Sequence, residues 1–138
     1  MVQQLGTNTF TTAKWIVSPT ASDGTHTTIA AALTSASSGD TIFIRPGTYT
    51  ENPTLKAGVN LSAYTCDALT PNVTISGKCT FTGAGTVSIS GINLQTNSDF
   101  CLAVTGSAAS IVYLNNCYIN ALNNTAISYT SSSSSSAI

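Results

Sequence analysis

One pattern of apolar residues occurs twice in the chain, at a fixed offset. Val87, Ile89, Ile92 and Leu94 recur as Val112, Leu114, Cys117 and Ile119, and Leu102 and Val104 recur as Ile127 and Tyr129. Alternation of apolar and polar residues is typical of half-buried strands. The offset, about 25 residues, lies within the range of roughly 20–50 residues that indicates stacked repeats. A unit this short cannot bury its apolar face alone. The repeat therefore predicts a parallel β-helix whose coils cover one another.

The alternation is interrupted once in each copy, at Gly91 and at Asn116. Glycine and asparagine tolerate backbone angles that most residues avoid. We therefore predict that each of these residues makes a bend between two strands of one coil. Three shorter apolar segments, at residues 59–61, 73–75 and 79–81, are predicted to supply the earlier coils.

The chain carries little charge. It has four Lys or Arg and five Asp or Glu among 138 residues, with a formal net charge of −1. Bulk electrostatics therefore favour neither nucleic acid nor an anionic membrane as a partner. No stretch approaches the roughly 18 consecutive apolar residues of a membrane span. The first residues lack the basic and apolar regions of a secretory signal, which leaves cytoplasmic synthesis, a processed chain or export without a cleaved signal.

The expected organisation is an N-terminal arm, residues 1–14, followed by a β-helix domain, residues 15–138. We predict a short strand at 15–17 and a helix near 27–37, with Ile29, Ala30, Leu33 and Ala36 on its buried side. This helix would cover the open end of the core and protect the first strand edges. A strand at 42–45 would start the first coil. The repeat offset places a new strand near Ala137, so we expect the β-helix to continue, or to be covered, beyond residue 138.

The chain contains four cysteines, at Cys66, Cys79, Cys101 and Cys117. They form no C-x-x-C pair, and His26 is remote from them, so their spacing does not predict a zinc site. We expect no metal and no cofactor. Two disulfides could form in an oxidising compartment. The favoured interpretation is that the cysteines are small apolar core residues, because Cys117 takes the place of Ile92 in the preceding repeat.

The segment TTIAAALTSASSGDTIFIRPGTYTEN resembles the N-terminal cap and first coil of right-handed parallel β-helix proteins of the pectin-lyase-like superfamily. That superfamily includes pectate lyases, pectin methylesterases and many phage tailspikes. The resemblance is strong over residues 27–61 and is architectural beyond them. It implies an all-β, right-handed parallel β-helix with a short capping α-helix. It implies little about function, because this scaffold carries many activities.

A G-x-Y-x-E element, formed by Gly47, Tyr49 and Glu51, resembles one found in pectin methylesterases. Those enzymes also need paired aspartates and an arginine in later coils, and here no Asp or Arg follows residue 99. We therefore expect Tyr49 to pack within the first coil and Glu51 to bond to exposed backbone. Arg45 has a predicted structural role in the first strand, and Asp40 in the turn before it.

Polysaccharide lyases of this fold use clustered acidic residues to bind calcium, together with an Arg or Lys base. Asp67, Asp99 and Lys78 are too few and too scattered along the chain to predict such a cluster. Asp67 and Asp99 are more than one coil apart, so a facing pair of glycosidase carboxylates is not implied either. Trp15 is interpreted as a packing residue rather than a sugar-stacking one. No catalytic residue is therefore predicted.

These observations favour a non-enzymatic module of an extracellular or virion appendage, such as a tailspike, fibre or filament. The module would be a rigid rod that binds a receptor or a polysaccharide through hydroxyls and amides. Viral β-helix proteins that this chain resembles are often trimers, so the resemblance implies a homo-oligomer. An open coil end would also allow copies to stack end to end into a filament. The alternative is the N-terminal part of a polysaccharide lyase or another carbohydrate-active enzyme, with its catalytic coils beyond residue 138. Ice binding by threonine rows is a minor alternative.

Overall fold

A computed structural model describes residues 14–65, 71–97, 99–106 and 109–131, with the side chain of residue 131 excepted. The chain enters through β1 (Trp15–Val17), a 3-10 turn (Ala21–Asp23) and helix α1 (Ile29–Ser35). Four coils of three strands follow. The first coil contains β2 (Thr41–Ile44), β3 (Gly47–Tyr49) and β4 (Thr54–Leu55), and the second contains β5 (Asn60–Ala63), β6 (Val73–Ser76) and β7 (Cys79–Thr82). The third contains β8 (Gly85–Ser90), β9 (Ile92–Thr96) and β10 (Leu102–Gly106), and the fourth contains β11 (Ser110–Asn115), β12 (Tyr118–Ala121) and β13 (Ile127–Ser131).

The strands stack into three parallel sheets that run along the solenoid. Sheet A has the order β1-β2-β5-β8-β11, sheet B the order β3-β6-β9-β12, and sheet C the order β4-β7-β10-β13. Within the described ranges, every strand pairing is parallel, with each coil paired to the one before it. The predicted parallel β-helix is therefore confirmed. We call the turns between the sheets the A–B, B–C and C–A corners.

The strand register confirms the predicted repeat in the last two coils. Val87 pairs with Val112 and Ile89 with Leu114 in sheet A, and Leu102 pairs with Ile127 in sheet C. The same offset does not extend to the earlier coils. The step from Ile42 to its partner Leu61 is shorter, and the step from Leu61 to its partner Ile89 is longer. The offset varies because corners of different length connect strands that remain in register.

Core residues form columns down the interior of the stack. Ile42, Leu61 and Ile89 occupy one such column of sheet A, and each is at most 1% exposed. Inward positions alternate with outward polar ones along each strand, as the pleat requires. The bends at Gly91 and Asn116 lie one above the other at the A–B corner, with φ of 69° and 50°, and Gly91 N donates to Asn115 O.

Helix α1 covers the first coil at the N-terminal end, but it is shorter than the predicted 27–37. It begins after Thr28, whose hydroxyl accepts from Ala31 N, and ends before Ala36, whose extended backbone cannot continue the helix. Its buried residues are Ile29, Ala32 and Leu33. Ala30, predicted on the buried side, is exposed, because a helical period of 3.6 residues turns it away from Ile29 and Leu33.

Two of the described cysteines are core residues. Cys79 and Cys101 are fully buried, whereas Cys117 is half-buried in the last coil. No disulfide joins any of these three residues in the structure. Cys66 and Asp67 lie outside the described residues, as do residues 1–13 of the predicted arm. Within the described ranges no helix has both the length and the apolar character needed to span a membrane.

Candidate functional site

A polar cleft opens at the B–C corner, across the first three coils. Its volume is about 460 Å³, and its walls are formed by residues at the ends of β6 and β9 and in the corners that follow β3, β6 and β9. We call it the corner cleft and define it by its lining residues: Asn52, Ser76, Gly77, Lys78, Thr96, Asn97 and Asp99. Among these described residues, only the lysine and the aspartate carry charge.

The corner cleft forms because the second coil turns more sharply than its neighbours. Its B–C corner is only Gly77 and Lys78, whereas the third coil takes residues 97–101 to reach sheet C. Gly77 is needed for this sharp turn, since a Cβ atom there would overlap the carbonyl of Glu51 in the coil below. Asn97 and Asp99, which belong to the longer corner of the third coil, line the cleft beside the short corner.

Asn52 connects the floor of the cleft to the first coil. Its side-chain Oδ1 accepts a hydrogen bond from Lys78 N at 2.8 Å, and Gly77 N donates to Gln95 O at 2.9 Å. These two bonds tie the sharp corner to the coils on either side. On the far wall, Asn123 of the fourth coil donates its amide to Asn97 O. The backbone around the cleft is therefore held in one arrangement.

Lys78 and Asp99 form the charged centre of the cleft. Lys78 Nζ lies 2.6 Å from Asp99 Oδ2, and the other carboxylate oxygen accepts from Phe100 N at 2.8 Å. The lysine ammonium and then the Phe100 N–H lower the pKa of Asp99, because both bond to the ionised carboxylate. About 36% of the lysine side chain and 41% of the aspartate side chain remain exposed, so both can reach a ligand.

The arrangement suits recognition of a hydroxyl-rich ligand. Amide groups of asparagine offer both donors and an acceptor, hydroxyls of serine and threonine do the same, and the ion pair adds donors and acceptors of higher strength. The positive and negative charges cancel locally. Among the described residues no group of three or more His, Cys, Asp or Glu side chains could hold a metal ion.

The predicted Gly47, Tyr49 and Glu51 lie at the N-terminal cap and not in the corner cleft. The Tyr49 hydroxyl bonds to Arg45 O at 2.8 Å, and the burial of Tyr49 raises its pKa to about 12. The two Glu51 oxygens accept from the N–H groups of Ile29 and Ala30 at 2.9 and 2.8 Å. A Cβ atom at Gly47 would press on the ring of Pro19, in the segment that precedes the helix.

Arg45 also makes contacts at the N-terminal cap. Its Nε donates to Asp23 O at 2.9 Å, and its guanidinium lies over the ring of Tyr64, 4.6 Å from the ring centre. These contacts join the first strand of the first coil to the segment that precedes the helix and to the second coil.

Asp40, beside the helix, accepts two hydrogen bonds and forms one ion pair. Its Oδ2 accepts from Ser37 N and from the indole of Trp15, both at 2.8 Å, and lies 3.7 Å from Lys14 Nζ. The Ser37 N–H is the main cause of the lowered pKa of Asp40, followed by the indole. Trp15 in turn packs edge-on against His26, with ring centres 5.5 Å apart. The indole is thus engaged with protein groups.

Sequence reasoning missed the corner cleft. It treated Lys78 and Asp99 as scattered, and that was wrong, because the structure brings them into direct contact. The register of sheet C explains why Lys78 and Asp99 are in contact. Cys79 pairs with Leu102, so the residues just before them share one corner. A search for repeats at several offsets, rather than at the offset of the last two coils alone, could have aligned these segments.

The three stacked parallel sheets define the class of this protein, which is a parallel β-solenoid. Beyond this class, the chain matches no protein-family model, no curated protein and no solved structure. The narrower likeness to pectin-lyase-like proteins thus depends on the motif at residues 27–61.

Proposed function

We propose that this chain is a rigid, non-enzymatic β-helix module of an extracellular or virion appendage, of the pectin-lyase-like kind, and that it binds polysaccharide in the corner cleft. The corner cleft is the observation that carries the proposal. Its amides, its hydroxyls and one ion pair face solvent, and three stacked coils hold the backbone that positions these groups. Such preorganised groups bind a ligand without a large ordering cost.

The chemistry of the lining favours a neutral polysaccharide. Lys78 and Asp99 neutralise each other at 2.6 Å, so the cleft offers no net charge to a uronate or sulfate chain. A sugar hydroxyl both donates and accepts hydrogen bonds, and it can bridge the lysine, the aspartate and a neighbouring amide such as that of Asn97. An acidic chain would instead compete with Asp99 for the lysine.

The test is binding of the purified chain to a panel of neutral and acidic polysaccharides, followed by saturation-transfer NMR. Lys78→Ala and Asp99→Asn are expected to weaken binding of the preferred glycan at least tenfold. Lys14→Ala and Asp23→Asn are matched controls, because they change the same charges on the exposed N-terminal side. Equal binding by all four variants, or no binding to any polysaccharide, would refute the proposal.

The same panel separates binding from catalysis. The contact between an amine and a carboxylate in a polar cleft is also the kind of arrangement that acid–base chemistry uses. If new reducing ends or unsaturated products form, with or without added calcium, the chain is not a binding module. It is then part of a carbohydrate-active enzyme, which is the alternative.

We further propose that copies of the chain associate, as a trimer or as an end-to-end filament. Support comes from the fourth coil, which exposes several large apolar side chains: Ile111, Tyr113, Tyr118, Leu122, Ile127 and Tyr129. Exposed patches of this kind are typical of interaction surfaces. Sedimentation equilibrium measures the assembly directly, and a monomer at micromolar concentration would contradict this part of the proposal.

A further inference from the structure

Two buried cysteines lie on neighbouring coils directly behind the corner cleft. Cys79 begins β7 in the second coil, and Cys101 immediately precedes β10 in the third. Cys79 pairs with Leu102 in the parallel register, which places Cys101 next to the position opposite Cys79. The two residues are also joined through the backbone, since Cys79 N donates to Cys101 O at 2.9 Å.

The backbone hydrogen bond limits how far apart the two Cα atoms can be. Adding the covalent reach from each Cα to the bonded nitrogen or oxygen gives an upper limit of about 6.8 Å. Strands about 4.8 Å apart, offset by one residue, give a separation of about 6 Å. Disulfides span Cα separations of about 4.4–6.8 Å, so the backbone of Cys79 and Cys101 meets the distance requirement for a bridge.

Both side chains lie inside the same core. Cys79 and Cys101 are each 0% exposed. Cys117 is only half-buried, and its sulfur lies at the A–B corner, 3.2 Å from Ile89 O and 3.4 Å from Asn115 O. Burial, and then the nearby Cys101, raise the pKa of Cys79 to about 12, so the thiol of the folded, reduced protein is a poor nucleophile. Oxidation therefore belongs to the stage before the coils close.

We propose that Cys79 and Cys101 form an interior disulfide when the chain folds in the presence of a disulfide oxidant, fastening the second coil to the third beneath the corner cleft. One cysteine thiolate attacks a sulfur of the small-molecule disulfide and displaces one thiolate. The second cysteine thiolate then attacks the mixed disulfide and displaces the other. The protein loses two protons and two electrons, and the oxidant becomes two thiols.

The bridge lies close to the charged centre of the cleft. Lys78 directly precedes Cys79, and Asp99 is separated from Cys101 only by Phe100. A covalent link here restricts the relative movement of the two coils that carry the ion pair. It also closes a loop in the unfolded chain, and this lowers the entropy of the unfolded state.

The first test maps the bridge in the wild-type chain. The protein is refolded with oxidised glutathione or with reduced glutathione, alkylated, and cut with trypsin and chymotrypsin together. Cleavage after Lys78, Phe81, Phe100 and Tyr113 separates all four cysteines into different peptides. We expect a Cys79–Cys101 cross-linked peptide after oxidative refolding only. Alkylation of both residues after oxidative refolding, or a cross-link from either one to Cys66 or Cys117, would overturn the proposal.

The second test measures what the bridge does to stability. The double variant Cys66→Ala/Cys117→Ala keeps only the proposed pair, and oxidative refolding is expected to raise its Tm by several degrees over the reduced form. Adding Cys101→Ala is expected to abolish this rise. A rise that persists without Cys101, or an oxidised form that melts no higher than the reduced one, would contradict the proposal. If the triple variant does not fold, the peptide map decides alone.

Discussion

The two ends of the solenoid bury the same kinds of residues to very different extents. At the N-terminal end, β1 and α1 close the core, and Ile42 of the first coil is 0% exposed. In the fourth coil, Ile127 and Tyr129 occupy inward positions, paired with Leu102 and Val104, yet they are 40% and 55% exposed. An apolar cleft of about 330 Å³ lies beside them. Burial in a solenoid therefore depends on having a neighbouring coil on both sides, and not only on residue type.

The ends also differ in how the backbone is held. Near the cap, Glu51 and Tyr49 bond to backbone groups across the end of the stack, and Lys56 Nζ donates to Ala36 O at 2.6 Å. Beyond Gly106 the sequence has no Asp, Glu, Lys, Arg or His. Charged side chains on a strand edge oppose pairing with another strand, and the edge of the fourth coil lacks them. The capped end is thus closed by specific polar contacts, and the fourth coil offers an uncharged edge.

The largest expected effect comes from one column of sheet A. Ile89→Ala, in the third coil, is expected to lower the free energy of unfolding by about 3–4 kcal/mol, because it leaves a cavity between two coils. Leu114→Ala removes a similar volume from its partner in the fourth coil, which is only half-buried, and is expected to cost about 1–2 kcal/mol. Urea denaturation measures both. Equal losses would mean that another chain or coil covers the fourth coil in solution.

At the capped end, Glu51→Ala is expected to cost about 2–3 kcal/mol, because two helix N–H groups lose their acceptor. Glu51→Gln retains one acceptor and is expected to cost less. Thr50→Ala, an exposed neighbour, serves as the control. Thermal unfolding followed by circular dichroism ranks the three variants. A Glu51→Ala variant as stable as Thr50→Ala would show that the cap does not need this contact.

Because the pKa of Tyr49 is raised in the folded chain, we expect the protein to lose stability at high pH. Its pKa is raised to about 12 in the folded chain, against about 10 when unfolded, so its contribution is complete below pH 10 and is lost as the pH rises to 12. We expect Tyr49→Phe to remove about 2 kcal/mol of this alkaline decline. In the reduced protein, the Cys79 thiol, whose pKa is also raised to about 12, contributes its own decline from a lower starting pH.

The measurement for Tyr49 is the free energy of unfolding across pH 8–12 for wild type, Tyr49→Phe and the exposed control Tyr113→Phe. If Tyr49→Phe declines as steeply as the wild type, the hydroxyl is not protected by burial. Cys79→Ala, measured in parallel, isolates the thiol contribution.

The smallest effect on stability is expected at the corner cleft. Lys78 and Asp99 are substantially exposed, and exposed ion pairs contribute little. Since the pKa of Asp99 is lowered in the folded chain, its contribution is present above about pH 4 and is lost as the pH falls through the lowered value. Asp99→Asn is expected to flatten this small acid decline in a pH series. A large loss of stability at neutral pH would mean that the ion pair is structural rather than available to a ligand.

Much of the fold could be predicted from particular residues. The pairs Ile89–Leu114 and Val104–Tyr129 follow from the repeat, and the bends at Gly91 and Asn116 follow from the residues that interrupt it. The candidate site could not be predicted in the same way. Lys78 and Asp99 meet because the second and third coils have corners of different length, and no single offset relates them.

The residue pattern alone specifies stacked parallel strands, because apolar residues that alternate and recur at a fixed interval can be buried only against another copy of themselves. What it leaves open is where the irregular corners lie relative to one another. Three features arise from how neighbouring coils align in three dimensions: the close approach of Gly77 to the carbonyl of Glu51, the Lys78–Asp99 contact and the nearness of Cys79 to Cys101. These contacts involve residues far apart in the chain, so their geometry depends on the register of the whole stack.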